Sequence, residues 1–296
     1  MVVENHDLSI IIISRNEEKN IANCIESILK AAKKIVSYEI ILVDSASTDR
    51  TVEIAMKYPI RIIKLHPSCS LSPAAGYYVG FMNTNGKYVQ FQCGDTILNE
   101  NWFENALPVL ERESKLAGVV GAVTQEKYDS ILARRYFKTL NNLPVGEVTD
   151  FWGDSLFKRE VLFEVGPYNP HLMAGEEGEL CFRVIDKGYK FMRLPFPMSH
   201  HTGCHENSYT NFIQKLCRYT IAQGQVMRYS LNRKQILLWR LNEFKFKIIS
   251  GFLIIFGLFS ILWYFKINDQ TIFVTIQIPF FQSSPSTHEN NQNQQA

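Results

Sequence analysis

The sequence predicts an α/β fold built on a mostly parallel central sheet with helices packed against it. Residues 8–13 are apolar except for Ser9 and rich in isoleucine, which is typical of a central parallel strand buried on both faces. Apolar residues then recur at helical spacing, at positions 21, 24, 25, 28 and 29. The alternation continues with strands at 39–43 and 60–65. Alternating strands and helices with short joints indicate a parallel, doubly wound sheet.

The remaining elements follow in chain order. Residues 47–49, Ser-Thr-Asp, are N-cap residue types and precede a helix that includes positions 52, 55 and 56. Further helices are predicted at 77–83, 102–115, 159–164 and 176–187, the last with Leu180, Val184 and Ile185 facing inward. Further strands are predicted at 88–91, at 118–124, from about 154 to 157, and at 189–194.

Composition excludes some classes of protein. The chain has 296 residues and a net charge of +2, which gives no footprint for nucleic acid. Its six cysteines are scattered, with no Cys-x-x-Cys pair. That argues against a zinc ribbon or a disulfide framework and suits a reducing compartment. The first residues have neither the basic nor the apolar region of a cleavable signal peptide.

The last third of the chain differs from the rest. Residues 248–265 are apolar apart from Ser and Gly, and they reach the length of about 18 residues that indicates a membrane helix rather than a buried core helix. Basic residues precede this run, so the positive-inside rule places the large domain in the cytoplasm. We therefore predict a catalytic domain at 1–205, an amphipathic helical segment at 206–246, a transmembrane helix at 247–267 and a disordered tail at 268–296.

Acidic residues follow two of the predicted strands. Open α/β sheets bind ligands outside the carboxyl ends of their strands, which makes Asp95, at the end of residues 86–95, a candidate site residue. An ordinary turn is the alternative. Asp44 and Asp49 suit hydrogen bonds to a base edge and a ribose, but a helix cap by Asp49 with Asp44 in a turn explains them equally well.

Five motifs in order give the chain a family resemblance. They are residues 10–17 (Ile-Ile-Ile-Ile-Ser-Arg-Asn-Glu), 42–51 (Leu-Val-Asp-Ser-Ala-Ser-Thr-Asp-Arg-Thr), 86–95, 152–159 (Trp-Gly-Asp-Ser-Leu-Phe-Lys-Arg) and 174–183 (Ala-Gly-Glu-Glu-Gly-Glu-Leu-Cys-Phe-Arg). Together they resemble a family 2 glycosyltransferase with the GT-A fold, a Rossmann-like α/β architecture. The resemblance covers residues 8 to about 203.

The resemblance implies a role for each matching residue. The donor, a uridine or guanosine nucleotide sugar, would be bound by Ser14, Arg15, Glu17, Asp44 and Asp49. A divalent metal, Mg or Mn, would be held by Asp95 with His200 or His201. The catalytic base of an inverting transfer would be Glu177, with Glu176 beside it. Trp152 and Asp154 would line the pocket of the acceptor.

The residue types suit this chemistry. An inverting transfer needs a carboxylate that takes the proton of the acceptor hydroxyl and a cation that stabilises the departing diphosphate. Glu177 lies at the start of a predicted helix, where the helix dipole keeps a carboxylate ionised. With the predicted membrane helix, this indicates a membrane-tethered hexosyltransferase that acts on a lipid-linked or surface-polysaccharide acceptor.

Four positions depart from the family pattern. Cys93 stands where the first Asp of the metal motif belongs, Tyr77 and Tyr78 stand where relatives often have Arg-Asn, and Pro167 replaces a Gly. A soft thiol in place of a carboxylate predicts weak binding of Mg or Mn. It also favours the alternative of a pseudo-transferase that binds a nucleotide sugar or glycan as an assembly partner. A dehydrogenase is disfavoured because no Gly-x-Gly-x-x-Gly follows the first strand.

Overall fold

The structure, a computed structural model, describes residues 6–125, 144–149, 151, 153–202, 221–222, 224–226 and 228–229. All of these belong to the first of the two units into which the chain divides, residues 1–240 and 241–296. Trp152 and the predicted membrane span at 248–265 lie outside the described residues. Within the described ranges, no helix has both the length and the apolar character needed to cross a membrane.

Four parallel strands form the first half of the sheet. They are β1 (Leu8–Ser14), β2 (Tyr38–Asp44), β3 (Arg61–Lys64) and β4 (Tyr88–Cys93), in the order β3-β2-β1-β4. The connections contain α1 (Ile21–Ala31) with a 3₁₀ turn (Ala32–Lys34), α2 (Thr51–Ala55) and α3 (Pro73–Met82). Ser14 is paired with Asp44, and Ile13 with Cys93, so the carboxyl ends of these strands share one edge.

The second half adds strands of both directions. It contains β5 (Thr96–Leu98), α4 (Trp102–Arg112), β6 (Leu116–Gln125), β7 (Gly146–Val148), β8 (Ser155–Lys158), α5 (Arg159–Val165), α6 (Glu176–Asp186) and β9 (Lys190–His201). Strand β8 runs antiparallel between β4 and β6. Strand β9 is parallel to β6 and antiparallel to β5 and β7.

Most of the paired residues in this nine-stranded described sheet belong to parallel ladders. The prediction of an α/β fold on a mostly parallel sheet is therefore confirmed. Ile10, Ile11 and Ile12 of β1 are fully buried, as expected for a central strand covered on both faces.

Two predicted elements and the burial of one residue were wrong. Helix α3 begins at Pro73 rather than at residue 77, because the Ser72 side chain accepts a hydrogen bond from the Ala75 amide and Pro73 is favourable in the first turn. Strand β9 runs through two prolines to His201 instead of ending at Leu194. Ile185 is 38% exposed rather than inward, whereas Leu180 and Val184 are fully buried as predicted.

Candidate active site

The turn after β4 packs tightly against the end of β1. The Gly94 amide donates to the Ile13 carbonyl oxygen at 2.9 Å. A Cβ atom on residue 94 would lie 3.0 Å from that oxygen and 3.0 Å from the Ser14 Cβ, so a larger residue would push the two strand ends apart. Glycine at this position therefore sets Asp95 beside the exit of β1.

The loops that follow β1 and β2 are tied to each other. The side-chain oxygen of Asn16 accepts a hydrogen bond from the backbone amide of Thr48 at 2.8 Å. The backbone amide of Asn16 donates to the Ser47 hydroxyl at 2.9 Å. The Glu18 amide donates to Asp49 Oδ2 at 3.0 Å. Asn16 and Ala46 have positive φ values of 58° and 56°. Such backbone persists only where its surroundings hold it, so these cross-ties fix the shape of the loop pair.

Both predicted nucleotide-binding carboxylates are engaged within this loop pair. Asp44 is fully buried and accepts from the amide and the hydroxyl of Ser47. Asp49 accepts from the amide and the hydroxyl of Thr51 at the start of α2. Partial burial acts to raise the pKa of Asp49, but its hydrogen bonds from Thr51 and from the Glu18 amide lower it below the usual range. Asp49 thus binds the first amide of α2 from one position before the N-cap residue, Arg50, and the nucleotide-binding role of both carboxylates stays a prediction.

The three other residues predicted at the donor site lie at the exit of β1. Ser14 is buried and Arg15 is exposed. Glu17 is partly buried and accepts from the Asn20 side chain at 2.8 Å. Burial is the main reason that the pKa of Glu17 is raised; Asn20 opposes this rise, and the nearby Asp95 carboxylate adds to it. The structure therefore brings Glu17 into the same electrostatic neighbourhood as Asp95.

Asp95 is joined to the end of β9. Its backbone oxygen accepts from the amide and the hydroxyl of Thr202 at 2.9 and 2.8 Å. Its carboxylate Oδ2 lies 3.1 Å from Nε2 of His201. Burial lowers the pKa of His201, but the hydrogen bond to Asp95 and its negative charge raise it above the usual value. Asp95 and His201 form a polar pair at the carboxyl edge of the sheet.

The two neighbouring histidines are separated by the strand that carries them. Nδ1 of His200 lies 3.0 Å from the Thr124 hydroxyl on β6, while His201 faces Asp95. Adjacent residues of a strand point to opposite faces, and β9 extends through both of them. Of the two predicted metal ligands, the structure brings only His201 to Asp95.

Cys93 is in contact with both Asp154 and Tyr77. Its amide donates to Asp154 Oδ1 at 2.8 Å, and its Sγ lies 3.3 Å from the Tyr77 hydroxyl. Burial, and then the carboxylates of Asp154 and Asp95, raise the pKa of Cys93 well above its usual value. Sulfur is also a soft ligand, which Mg and Mn bind less well than carboxylate oxygen. The two residues that depart from the family pattern, Cys93 and Tyr77, therefore contact each other. The Tyr77 ring also stacks on Tyr168 at a ring-centroid distance of 5.0 Å.

Asp154 accepts hydrogen bonds from the last two residues of β4. It is 2% exposed and accepts from the Cys93 amide and, at 2.8 Å, from the Gln92 side chain. Burial raises its pKa to about 6 against an ordinary value of 3.8, although the hydrogen bond from Cys93 opposes the rise. The carboxylate links β8 to the end of β4. Its predicted contact with an acceptor stays a prediction, and its predicted neighbour Trp152 lies outside the described residues.

The raised pKa of Asp154 predicts a pH dependence of stability. Between about pH 4 and pH 6 the folded protein keeps this proton while the unfolded chain releases it, so stability falls as pH rises through that window. A shift of about two units corresponds to about 3 kcal/mol. Urea unfolding of Asp154→Asn at pH 4.5 and pH 7.5 should show a smaller difference between the two pH values than the parent, by up to that amount. The exposed Asp7→Asn is the control, and an unchanged difference in Asp154→Asn would contradict the assignment.

The predicted base lies at the first turn of α6. Gly175, in a left-handed conformation with φ of 76°, precedes the helix. The carboxylate of Glu177 is partly buried and accepts from the Gly153 amide at 3.3 Å, whereas Glu176 is 4% exposed. Glu177 is also close enough to Cys93 to contribute to its raised pKa, after the larger effects of burial and of Asp154 and Asp95. Of the two adjacent carboxylates, Glu177 is the more accessible.

Arg183 fixes the next turn of the same helix. Its guanidinium makes two hydrogen bonds of 2.8 Å to the Glu179 carboxylate and donates to the backbone oxygens of Val165, Gly166 and Pro167. A buried ion pair with all its hydrogen bonds made is costly to break on one side only. Glu179 and Arg183 therefore anchor α6 to the end of α5, and they are structural supports of the site.

Several residues that shape the site were not predicted. Three of them lie next to a predicted site residue: Asn16, Gly153 and Thr202. Each makes a hydrogen bond that involves a backbone group and joins it to a residue distant in sequence. Tyr168 is 1% exposed and packs between Tyr77 and Phe91. Asn16 lies within the motif at residues 10–17, whereas the only available signal for Thr202 was a polar residue beside a predicted site residue.

Few of the described side chains at this edge could act together as metal ligands. Among the described residues, no group of three His, Cys, Asp or Glu is arranged to hold a metal ion. Asp95 and His201 offer one carboxylate oxygen and one imidazole nitrogen at a distance of 3.1 Å from each other. A carboxylate suits Mg and Mn, and an imidazole suits the softer of the two, Mn, better. The pair fits a metal whose other ligands come from a bound molecule.

The fold and the edge described above define an α/β enzyme class whose acidic residues gather where β1, β2 and β4 end. The family model "Glycosyl transferase family 2" matches residues 9–166, more than half of the chain. The chain belongs to glycosyl transferase family 2, and it is a glycosyltransferase. The predicted family and enzyme class are confirmed, although α6 and β9 lie beyond the matched residues.

Two archaeal relatives are similar over most of the chain. Glycosyltransferase AglE of Haloferax volcanii is 25% identical over 259 residues, which cover 83% of this chain and 81% of AglE. The second relative, from Methanococcus voltae, is dolichyl N-acetyl-alpha-D-glucosaminyl phosphate 3-beta-D-2,3-diacetamido-2,3-dideoxy-beta-D-glucuronosyltransferase. It is 25% identical over 292 residues, which cover 91% of this chain and 88% of the relative.

Solved structures support the same GT-A-like fold. S. aureus TarS 1–349 in complex with UDP has a TM-score of 0.60 and 18% identity, covering 83% of this chain and 74% of that one. The mannosyltransferase PcManGT from Pyrobaculum calidifontis, in complex with GDP-Man and Mn²⁺, has a TM-score of 0.58 and 17% identity, covering 78% and 65%. In a longer TarS chain the match spans 40% of the length. At these identities the likeness concerns the fold alone.

Proposed function

We propose that this glycosyltransferase moves a sugar from a nucleotide-sugar donor to a lipid-linked acceptor, with inversion at the anomeric carbon. The observation that carries the proposal is the position of Glu177, at the start of α6 and near the turn that bears Asp95. The Methanococcus voltae relative, whose name describes a dolichyl phosphate-linked sugar acceptor, supports a lipid-linked acceptor. A surface polysaccharide is the second acceptor class.

The donor would lie along the exits of β1 and β2. TarS has been solved with UDP and with UDP-GlcNAc, and PcManGT with GDP-Man, which supports a nucleotide-sugar donor with uridine or guanosine as the base. The cross-tied loops present polar groups at this edge, and Arg15 is exposed there to meet a phosphate charge. Asp44 and Asp49 would contact the base and the ribose.

A divalent cation, Mg or Mn, would be held by Asp95 and His201, and when bound it would neutralise charge on the diphosphate. The Mn²⁺ in the PcManGT complex supports this. Cys93 would not be a ligand, because its sulfur is a soft donor for Mg or Mn and contacts the Tyr77 hydroxyl. His200 faces Thr124 and would also stay outside the set.

Glu177 would act as the general base. Its carboxylate takes the proton from the acceptor hydroxyl while the hydroxyl oxygen bonds to the anomeric carbon and the bond from that carbon to the diphosphate breaks. The Gly153 amide holds one carboxylate oxygen, and the N-terminus of α6 favours the ionised form. Glu176 is more deeply buried and would support its neighbour.

The C-terminal third would hold the enzyme at the membrane. Residues 248–265 have the length and hydrophobicity of a membrane helix, and the basic and aromatic residues at 209–240 suit anionic headgroups. The catalytic domain would then face the cytoplasm, near a lipid-linked acceptor. Membrane fractionation of the full chain and of a chain ending at residue 246 tests this, since only the full chain should require detergent.

An assay of product formation tests the function. Purified full-length protein with Mn²⁺ is incubated with UDP- and GDP-sugars and a polyprenyl-phosphate-linked sugar, and nucleoside diphosphate release and product configuration are measured. We expect acceptor-dependent release with at least one donor and an inverted product. Donor-induced thermal stabilisation without release, for every donor and acceptor, would instead support a pseudo-transferase. As a check on the donor site, Asp44→Ala should stay folded and lose the stabilisation by donor.

A further inference from the structure

The segment that leads into α6 is anchored away from the main core. Leu172 is fully buried, but its apolar contacts belong to a separate cluster with Ala74 of α3 and Val226. Met173, its neighbour, is 39% exposed. The cluster of Ala74, Leu172 and Val226 therefore helps to position residues 172–175, which lead into α6.

Val226 belongs to a helical stretch far along the chain. Residues 221–222, 224–226 and 228–229 are helical, and Ala222 and Val226, one turn apart, are buried at 1% and 0% exposure. Between them, Gln225 accepts a hydrogen bond from the Met173 amide through Oε1 at 3.0 Å. Val226 also lies against Gly175, where an added Cβ would be 3.6 Å from its Cγ2. We call these residues the clamp helix.

We propose that the clamp helix is a positioning element for Glu177, with Gln225 and Val226 as its positioning residues. This rests on the proposed function of Glu177 as the base. Only one residue, Glu176, separates Glu177 from Gly175, which lies beside Val226. The clamp lies beyond the residues matched by the family model, which end at 166.

The packing of α6 makes its start the adjustable end. Further along the helix, Arg183 donates to the backbone oxygens of Val165 and Pro167 at the end of α5, and it also donates to the Glu179 carboxylate. The first intrahelical bond, from the Glu179 amide to the Gly175 oxygen at 3.2 Å, transmits the position of Gly175 to the first turn. A shift of residues 172–175 therefore moves the Glu177 carboxylate relative to the Gly153 amide and the acceptor.

The consequence is a specific kinetic signature. A misplacement of about 1 Å in a reacting group costs up to about 10²-fold in rate. The donor site lies at the exits of β1 and β2, whose cross-ties do not involve the clamp. Loss of the clamp should therefore lower kcat and leave donor binding unchanged.

The test uses full-length protein with three variants and the transfer assay. Gln225→Ala with Val226→Ala removes both contacts, Gln225→Glu keeps an oxygen that accepts from the Met173 amide, and Gly224→Ala adds a methyl group into open space on the same helix. We expect kcat to fall about 10- to 100-fold in the double variant. The donor Kd should stay at the parent value in all three, and Gln225→Glu and Gly224→Ala should keep the parent kcat.

Two outcomes would overturn the proposal. One is a folded double variant, as judged by circular dichroism, with the kcat of the parent. The other is an equal loss in Gly224→Ala, which would indicate a general effect on the helix. If the double variant does not fold, Gln225→Ala alone is measured in the same way, with a kcat below the parent value expected.

A Glu177→Gln variant separates the proposal on the clamp helix from the proposal on the base. Full activity of Glu177→Gln refutes the base itself. An inactive Glu177→Gln together with a fully active clamp variant refutes only the clamp.

Discussion

Glu177→Gln is expected to keep the fold and donor affinity and to lose sugar transfer by roughly 10²- to 10⁴-fold, the worth of a positioned general base. Glutamine has the size of glutamate, and its side-chain oxygen preserves the hydrogen bond from the Gly153 amide. What it lacks is a site for the acceptor proton. Initial rates of nucleoside diphosphate release at saturating donor and acceptor measure the effect, and calorimetric titration of the donor measures affinity.

The matched control is Asp186→Asn, at the other end of α6 and exposed to solvent. It removes one negative charge from the same helix, far from the site, and should transfer sugar at the parent rate. A parent-like rate in Glu177→Gln would move the base to another residue. Glu176 would be tested next, because it is adjacent and lies in the same turn.

Asp95→Asn should abolish measurable Mn²⁺ binding in the presence of nucleoside diphosphate and reduce transfer by about 10²- to 10³-fold, as expected when a charge-stabilising group is lost. The change removes the carboxylate that lies 3.1 Å from His201 and leaves the backbone bonds to Thr202 in place. Carboxylate number is a main determinant of affinity for hard divalent cations. Titration of Mn²⁺ with and without nucleoside diphosphate measures the loss directly.

Cys93→Ser provides the contrast at the neighbouring position of the same turn. The hydroxyl is close in size to the thiol and keeps a contact with Tyr77. Because the proposed ligands are Asp95 and His201 and the sulfur contacts Tyr77, this variant should bind Mn²⁺ and transfer sugar as the parent does. Unaltered Mn²⁺ binding in Asp95→Asn would show that the metal is held elsewhere. A loss in Cys93→Ser would show that the thiol takes part after all.

The sequence predicts elements that are buried on both faces better than elements at the edges. Strands β1 and β2 contain the apolar runs 10–13 and 40–43, as expected for central strands buried on both faces, and that pattern is visible without any neighbour. Strands β5 and β7 have three residues each, too few for a periodic signal. Strand β9 continues through Pro195 and Pro197, which local reasoning takes as a stop. Its pairing with β6 and then β5 maintains it, and those contacts depend on the tertiary fold.

The candidate site divides in the same way. Asp95 and Glu177 were predictable because each follows a strand or begins a helix at a motif. That His200 and His201 face opposite sides of the sheet was not predictable, because it depends on β9 extending to include both residues. The contact between Tyr77 and Cys93 joins two positions that the sequence shows only as unrelated departures. Such pairings require the neighbours of each strand to be known.

The hydrogen bonds of Asp154 limit how this enzyme could be recombined with its relatives. The boundary between β4 and β8 divides the parallel half of the sheet from the half that adds α6 and β9. Asp154 crosses it to bind the Cys93 amide and the Gln92 side chain. A chimera whose second parent has an apolar residue at position 154 would leave these buried donors without an acceptor. Residues 92 and 154 should therefore be taken from the same parent.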